Sequence, residues 1–391
     1  MSMTANGPFL CYARHVFPCF SRPPPRRAPK NDLKTEGRNK AADVIARQLS
    51  DWYETQKRRL PWRETRDPYL IWISEIMLQQ TQVQTVIPYY ERFLETFPTV
   101  EVLARSALQD VLKAWENLGY YARARHVHEA ANIITHQFGG QMPDRWDDII
   151  RLPGIGSYTA GAILSIAFKK PVPAVDGNVR RVLSRLFAVK KPIDDPRTRR
   201  RLYELAERLV PEDSPDVLNQ AMMELGALIC KSGNPSCARC PLQTVCRAYE
   251  QGLQHRLPMT KKKGKLPHEH ATAGILHDNR QHVLIVQRPA RGLLGSLWKF
   301  PGGFALPEET PAEGLRRTIR EELDLEIHAS EWVTSVKHAF THFRMTLHVF
   351  HCLHAGVEPR ALTCQAWQWA SLHDLETLPF SKADRKVISS I

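Results

Sequence analysis

The chain has no apolar run long enough to span a bilayer, fewer acids than bases, and only eight cysteines in 391 residues. The first absence excludes a helical membrane-spanning protein. The third, with four of the cysteines packed into one short stretch, excludes a secreted disulfide scaffold and points to a reducing compartment, the cytoplasm if the source is bacterial. Fifty-four Lys and Arg against 41 Asp and Glu leave a formal charge of +13. That balance calls for a polyanionic partner, nucleic acid first. The first 31 residues hold no acid at all and contain Pro23-Pro24-Pro25-Arg26-Arg27. They predict a disordered basic arm over residues 1–38, open to reading as an organellar transit segment, an extra nucleic-acid contact or sequence upstream of the natural start.

A chain of this length forms two or three domains. From Asn39 the apolar residues recur at helical spacing for some two hundred positions, through Val44, Leu49, Ile71, Leu112, Ile133, Leu164, Val182 and Leu225, so residues 39–229 read as an all-α domain. A Lys-rich stretch with Pro258 and Pro267 marks a linker over 247–270. Beyond it the period changes. Val283–Val286 and Met345–Leu353 read as strands, and Pro311–Leu323 reads as a helix opened by Thr310 and Pro311, which makes residues 271–391 an α+β domain.

Cys230, Cys237, Cys240 and Cys246 are separated by six, two and five residues. A compact loop over 230–246 could set four thiolates around one centre, and the leading expectation is a 4Fe-4S cluster. Zinc would use the same ligands, though its sites more often carry two Cys-x-x-Cys knuckles. Cys11, Cys19, Cys352 and Cys364 show no ligand spacing.

Leu152-Pro153-Gly154-Ile155-Gly156-Ser157-Tyr158-Thr159-Ala160 sets Gly154 and Gly156 in a tight turn before a helix of small residues. Such a turn exposes backbone N–H groups to a phosphate, as in sequence-independent helix-hairpin-helix DNA binding over 152–160, or it is a plain interhelix turn. Asp176 follows an extended, Pro-flanked approach and stands at a helix entrance, where backbone donors favour its ionised form; it would serve equally as a helix cap. Glu75 is the lone acid in an uncharged run from Pro68 to Pro88. It reads either as a carboxyl kept protonated by apolar surroundings or as the polar edge of a helix. One carboxyl that donates a proton and one that stays charged are the pair that breaks a glycosidic bond. Arg180, Arg181 and Arg185 are candidates for phosphate neutralisation or for a solvated face.

These residues, with Pro61-Trp62-Arg63, Pro68-Tyr69, Trp72, Ser74-Glu75, Met77 to Val83, Leu118-Gly119-Tyr120-Tyr121, Leu152–Ala162, Val175 to Val179 and the four cysteines, resemble the adenine DNA glycosylases of the MutY type, in the endonuclease III superfamily. The resemblance runs from about Asn39 to the C-terminus. It implies an enzyme acting on double-stranded DNA that carries adenine opposite 8-oxoguanine or guanine, and a monomer is the default expectation for an enzyme that must wrap one lesion. Glu75 would protonate N7 of a flipped adenine, Asp176 would stabilise the cationic sugar, and Asn178 and Tyr158 would orient the pair and its water. Gln80, Thr81 and Tyr120 would enter the base stack around the opposing lesion. Bifunctional relatives attack with a lysine where this chain has Tyr158, which cannot form a Schiff base, so no strand cleavage is expected. The other readings are a glycosylase/lyase of the endonuclease III type and a non-catalytic iron-sulfur DNA-binding protein.

The C-terminal part resembles the Nudix-like lesion-reading domain of these glycosylases. Gly303 to Leu325 keeps Glu309, Arg317, Glu321 and Glu322 of the hydrolase box, but Thr318 replaces a metal-ligating glutamate and Asp324 a glycine. A diphosphate hydrolase needs its carboxylates for magnesium, so the domain is expected to recognise rather than hydrolyse. Phe340-Thr341-His342 stands where the family has a Phe-Ser-His lesion-reading loop, its hydroxyl kept and a methyl added.

Overall fold

The computed structural model describes residues 36–261, 264–354 and 356–390; most of the expected N-terminal arm, to residue 35, lies outside them. No helix among them is long and apolar enough to cross a membrane. The chain divides into two compact units.

The first unit takes the described residues up to Arg59, with Asp144–Arg151 and Ile155–Thr260. It is helical. Helix Glu36–Gln56 packs on helix Pro215–Leu228, which packs in turn on helix Gly177–Leu186. Ile45, Leu49, Val182, Leu183, Leu218 and Leu225 share its core. Proline opens Pro215–Leu228, where the missing N–H leaves nothing unsatisfied. Arg58, at the end of the first segment, is tied down by Glu224: its Nε and Nη2 donate to the two carboxylate oxygens at 2.8 and 2.6 Å.

The second unit joins Leu60–Pro143 and Leu152–Gly154 to Lys261–Ile391. Helix Pro68–Met77 starts at Asp67, whose side chain accepts from the Tyr69 N–H, and buries eight of its residues. Two three-stranded sheets follow. Strands β1 (His268–Ile275), β4 (Ile327–Ala339) and β5 (Arg344–His354) form one, in the order β1-β5-β4, with β1 parallel and β4 antiparallel to β5. Strands β2 (Val283–Gln287), β3 (Trp298–Lys299) and β6 (Ala366–Ala370) form the other, antiparallel, in the order β3-β2-β6. Helix Pro311–Leu323, opened by a reciprocal Thr310–Glu313 capping box, packs on β1 and β4. The mixed unit is held by polar contacts far apart in sequence. Arg385 Nε and the Phe380 N–H both donate to Glu116 Oε1, at 2.7 and 2.9 Å, and Tyr121 Oη donates to Phe380 O at 3.2 Å.

The expected 4Fe-4S loop is corrected by the structure. Cys230, Cys237, Cys240 and Cys246 line one cavity, but among the described residues no group of three or more His, Cys, Asp or Glu is placed to hold a metal ion. The segment forms two short 3-10 turns, Cys237–Arg239 and Gln243–Val245. Its sulfurs take part in ordinary contacts: Arg185 Nη1 donates to Cys230 Sγ at 3.3 Å and Cys246 Sγ donates to Arg185 O at 3.7 Å. Burial pushes the Cys237 and Cys246 thiols up and Cys240 up to about 12. Among the described residues the fold is therefore a helical segment followed by an α+β segment, without the iron-sulfur element.

Candidate functional site

The side chains expected to carry the chemistry fall into two groups, one in each unit. In the helical unit, Asp176 caps helix Gly177–Leu186, its Oδ1 accepting from the Val179 N–H at 2.6 Å. Its other oxygen accepts from Asn178 Nδ2 at 2.9 Å, and Asn178 Oδ1 accepts from Arg181 Nη2 at 2.8 Å. Arg181 is anchored in turn on Gly226 O and Cys230 O, both at 2.7 Å. The row Asp176–Asn178–Arg181 thus hangs on helix Pro215–Leu228. Gly226 permits the approach, because a β-carbon there would stand 2.7 Å from Asn178 Cβ. Burial pushes the Asp176 carboxyl up, opposed by the Val179 and Asn178 N–H groups, the Asn178 side chain and Arg181. The donors expected to keep it charged are present, and burial outweighs them. Tyr158 Oη donates to Met223 Sδ at 3.2 Å. Arg180 is half-buried, and its Nε donates to Asp176 O at 3.3 Å.

The hairpin glycines differ in their reasons. Gly154 has φ +77°, and a β-carbon there would also meet His126 Cβ at 2.8 Å, so only glycine suits it. Gly156 is extended and caps helix Ser157–Ile166. Within that helix a β-carbon on Gly161 would overlap Pro173 O, which explains the small residue where the extended approach to Asp176 passes.

In the mixed unit, Glu75 is buried at 5% exposure among Ile71, Trp72, Ile76 and Met77 of helix Pro68–Met77. Directly beyond that helix, Gln80 is exposed with φ +58°, and Tyr120 is exposed with φ +50°. Left-handed backbone at two non-glycine residues is strained, and such strain gathers at functional loops. One buried side chain holds both loops. Arg123 Nη1 donates to Ile76 O, Met77 O and Gln79 O at 2.8, 2.8 and 2.7 Å; Nη2 donates to Gly119 O at 3.0 Å and, more weakly, to Thr81 Oγ1 and Leu118 O. Its guanidinium also lies 5.4 Å from the Tyr120 ring centroid. Sequence reasoning missed Arg123, although it shares the buried face of Val127, Ala130 and Ile134 on helix Ala122–Phe138, and a charge on an apolar stripe is a signal.

The β4–β5 hairpin places Phe340, Thr341 and His342 at its tip, closed by the Phe340 N–H donating to Phe343 O at 2.9 Å. Phe340 stacks on Phe343, while Thr341 and His342 are exposed. Thr341 Oγ1 and Tyr120 Oη share a 2.8 Å hydrogen bond. The structure thus brings together Tyr120 and the hairpin tip, which the sequence places 221 residues apart.

Residues 73–208 match the family described as HhH-GPD superfamily base excision DNA repair protein, and residues 272–390 match the NUDIX domain. The chain is similar to the adenine DNA glycosylase of Rattus norvegicus, with 34% identity across 88% of this chain and 78% of that protein. It is 33% identical to that of Homo sapiens, across 87% of this chain and 72% of the other. Among solved structures, a thermostable thymine-DNA glycosylase superposes with a TM-score of 0.51 at 32% identity, covering 55% of this chain and 100% of that one.

Proposed function

The chain belongs to the adenine DNA glycosylase family of base excision repair, and from that premise we propose that it removes adenine mispaired with 8-oxoguanine or guanine and leaves an abasic site without cutting the strand. DNA binding and glycosylase activity belong to the family; the mispair, the residue roles and the absence of lyase chemistry are our reading. The observation that carries it is Glu75, a carboxyl 5% exposed on a helix with no other charge, set back from bulk water as a general acid working on a flipped base must be.

The Glu75 proton passes to N7 of the flipped adenine, and the base departs with the electrons of its bond to C1′ of the sugar. The Asp176 anion stabilises the cationic sugar; water adds at C1′ and returns a proton to the Glu75 carboxylate. Asn178, held by Arg181, fixes the orientation of Asp176. Tyr158 stands where a lyase would carry its amine and offers no nucleophilic nitrogen. Gln80, Thr81 and Tyr120 open the duplex, Thr341 and His342 read the opposing base, and the hairpin at Gly154 and Gly156, with Arg180, takes the phosphates. A monomer suffices for one lesion.

The test is single-turnover excision on duplexes with adenine opposite 8-oxoguanine, guanine, cytosine or thymine, with a thymine–guanine duplex as control for the base. Strand breaks are scored with and without alkali, and the series is repeated with Glu75→Gln. Alkali-dependent breaks confined mainly to adenine opposite 8-oxoguanine and guanine, and lost in the variant, are expected. No excision from any adenine duplex, or breaks without alkali, would overturn the reading.

A further inference from the structure

The carboxylates left in the hydrolase box are all engaged within the protein. Glu309 and Arg317 form a two-point ion pair at 2.6 and 2.9 Å, and Arg317 Nη1 also reaches Glu321 Oε2 at 3.0 Å. The Thr318 hydroxyl donates back into its own helix, to Gly314 O at 2.8 Å. Glu322 alone turns inward. It is buried, as is Lys299, and Lys299 Nζ donates to Glu322 Oε2 at 2.7 Å. The same ammonium donates to Gly302 O, and the Gly302 N–H donates to Glu322 Oε2 at 3.2 Å. Gly302 has φ +132°, and a β-carbon there would overlap Thr272 O, so the turn that aims its carbonyl at Lys299 is open to glycine alone.

A buried carboxylate oxygen and a backbone carbonyl converging on one point are the donors a hard divalent cation takes. We propose that the Lys299 ammonium fills the cation position of the box, so that this domain is closed to Mg²⁺ and Mn²⁺, and that removing the ammonium uncovers a latent site for such a cation. Lys299 ends β3, three residues before Gly302, so one turn sets both the ammonium and the carbonyl. The local charges balance: Lys299 faces Glu322, Arg288 and Asp384 are the further charges that act on it, and Arg317 is committed to Glu309 and Glu321. Adding a divalent cation beside Lys299 would place like charges together in a buried space. Truncating Lys299 instead leaves the buried Glu322 carboxylate with the Gly302 N–H but without the ammonium, and a divalent cation with its water ligands restores the balance. The domain would thus keep its fold without metal because it carries its own cation.

The experiment uses the full chain as wild type, Lys299→Ala and Lys299→Ala/Glu322→Gln. Mn²⁺ binding is followed by electron paramagnetic resonance, and thermal unfolding is measured with and without MgCl₂ at matched ionic strength. Wild type is expected to show no saturable Mn²⁺ site dependent on Glu322. Lys299→Ala is expected to bind Mn²⁺ at least about tenfold more tightly than wild type and to recover melting temperature on adding Mg²⁺, with both effects lost in the double variant. If Lys299→Ala does not fold, Lys299→Gln, which keeps a donor and loses the charge, is measured in the same way. Equal Mn²⁺ binding by wild type and variant, or no gain in either variant, would overturn the proposal.

Discussion

Replacing Arg123 by methionine isolates what one buried cation contributes to two strained loops. Four of its hydrogen bonds, to Ile76, Met77, Gln79 and Gly119 carbonyls, are 3.0 Å or shorter. Bonds from a charged donor contribute about 1.5–3 kcal/mol each, a gross of roughly 6–12 kcal/mol. Against this stands desolvation: burial pulls the guanidinium down from its ordinary range to about 10, a penalty of about 3 kcal/mol. Further losses come from ordering the side chain, and the carbonyls set free find some water, so the expected net cost of Arg123→Met is about 3–5 kcal/mol. The effect on function is separate. Gln80 and Tyr120 each hold a backbone conformation that costs about 1–3 kcal/mol, and without Arg123 both loops relax toward negative φ. Displacing a positioning group by about 1 Å costs on the order of 10²-fold in rate, so single-turnover excision should fall by about that much, with Arg123→Lys between wild type and Met. Urea unfolding gives the stability term and excision gives the functional one. On a Tyr120→Ala background Arg123→Met should lose much less additional activity, because the loop it steadies has already lost its side chain. Stability within about 0.5 kcal/mol of wild type together with normal excision would refute the assignment of Arg123 as the support of both loops.

Asp176→Asn should abolish excision yet raise the melting temperature at pH 7 by about 2 °C. Burial holds the folded carboxyl above its ordinary range, so its contribution to stability is full below the unfolded value and is lost as pH rises through the folded one; the advantage of Asn should shrink as pH falls toward about 4 and be gone below it. A lower melting temperature at pH 7 would mean that the Val179 and Asn178 donors prevail over burial. Arg58→Met leaves Glu224, 1% exposed, without its main cation and should cost about 3 kcal/mol in urea unfolding; a loss below about 0.5 kcal/mol would mark the pair as a bystander. Gly226→Ala pushes a methyl against Asn178 and should lower the excision rate about tenfold or more, while duplex binding, measured with the Glu75→Gln background to block turnover, changes little; a parallel loss of binding would indicate general misfolding instead.

Much of the architecture was legible because its signals are local. The apolar period announced the helical segment, the Thr310-Pro311 start announced helix Pro311–Leu323, and the Pro-flanked approach put Asp176 at a helix entrance, where the structure has it as a cap. The iron-sulfur expectation failed for the opposite reason. Spacing brings four cysteines into one loop, but ligation depends on where each sulfur points, and among the described residues no group is placed to hold a metal ion, while two of the sulfurs contact Arg185. Arg180, Arg181 and Arg185 read as phosphate contacts or as a solvated face, and Arg181 and Arg185 donate to backbone carbonyls of their own unit.

The sequence by itself determined the family, through short motifs whose residues act close to one another along the chain, and with it the base-excision chemistry. Only the tertiary structure decided how those motifs are supported: Arg123 gathering two loops, Glu224 holding Arg58, Lys299 neutralising Glu322, and Tyr120 meeting Thr341. Helix periods and caps are set by neighbours within a few residues. A buried charge is satisfied by whichever partner the packing brings to it, and that partner's place in the sequence leaves no local mark.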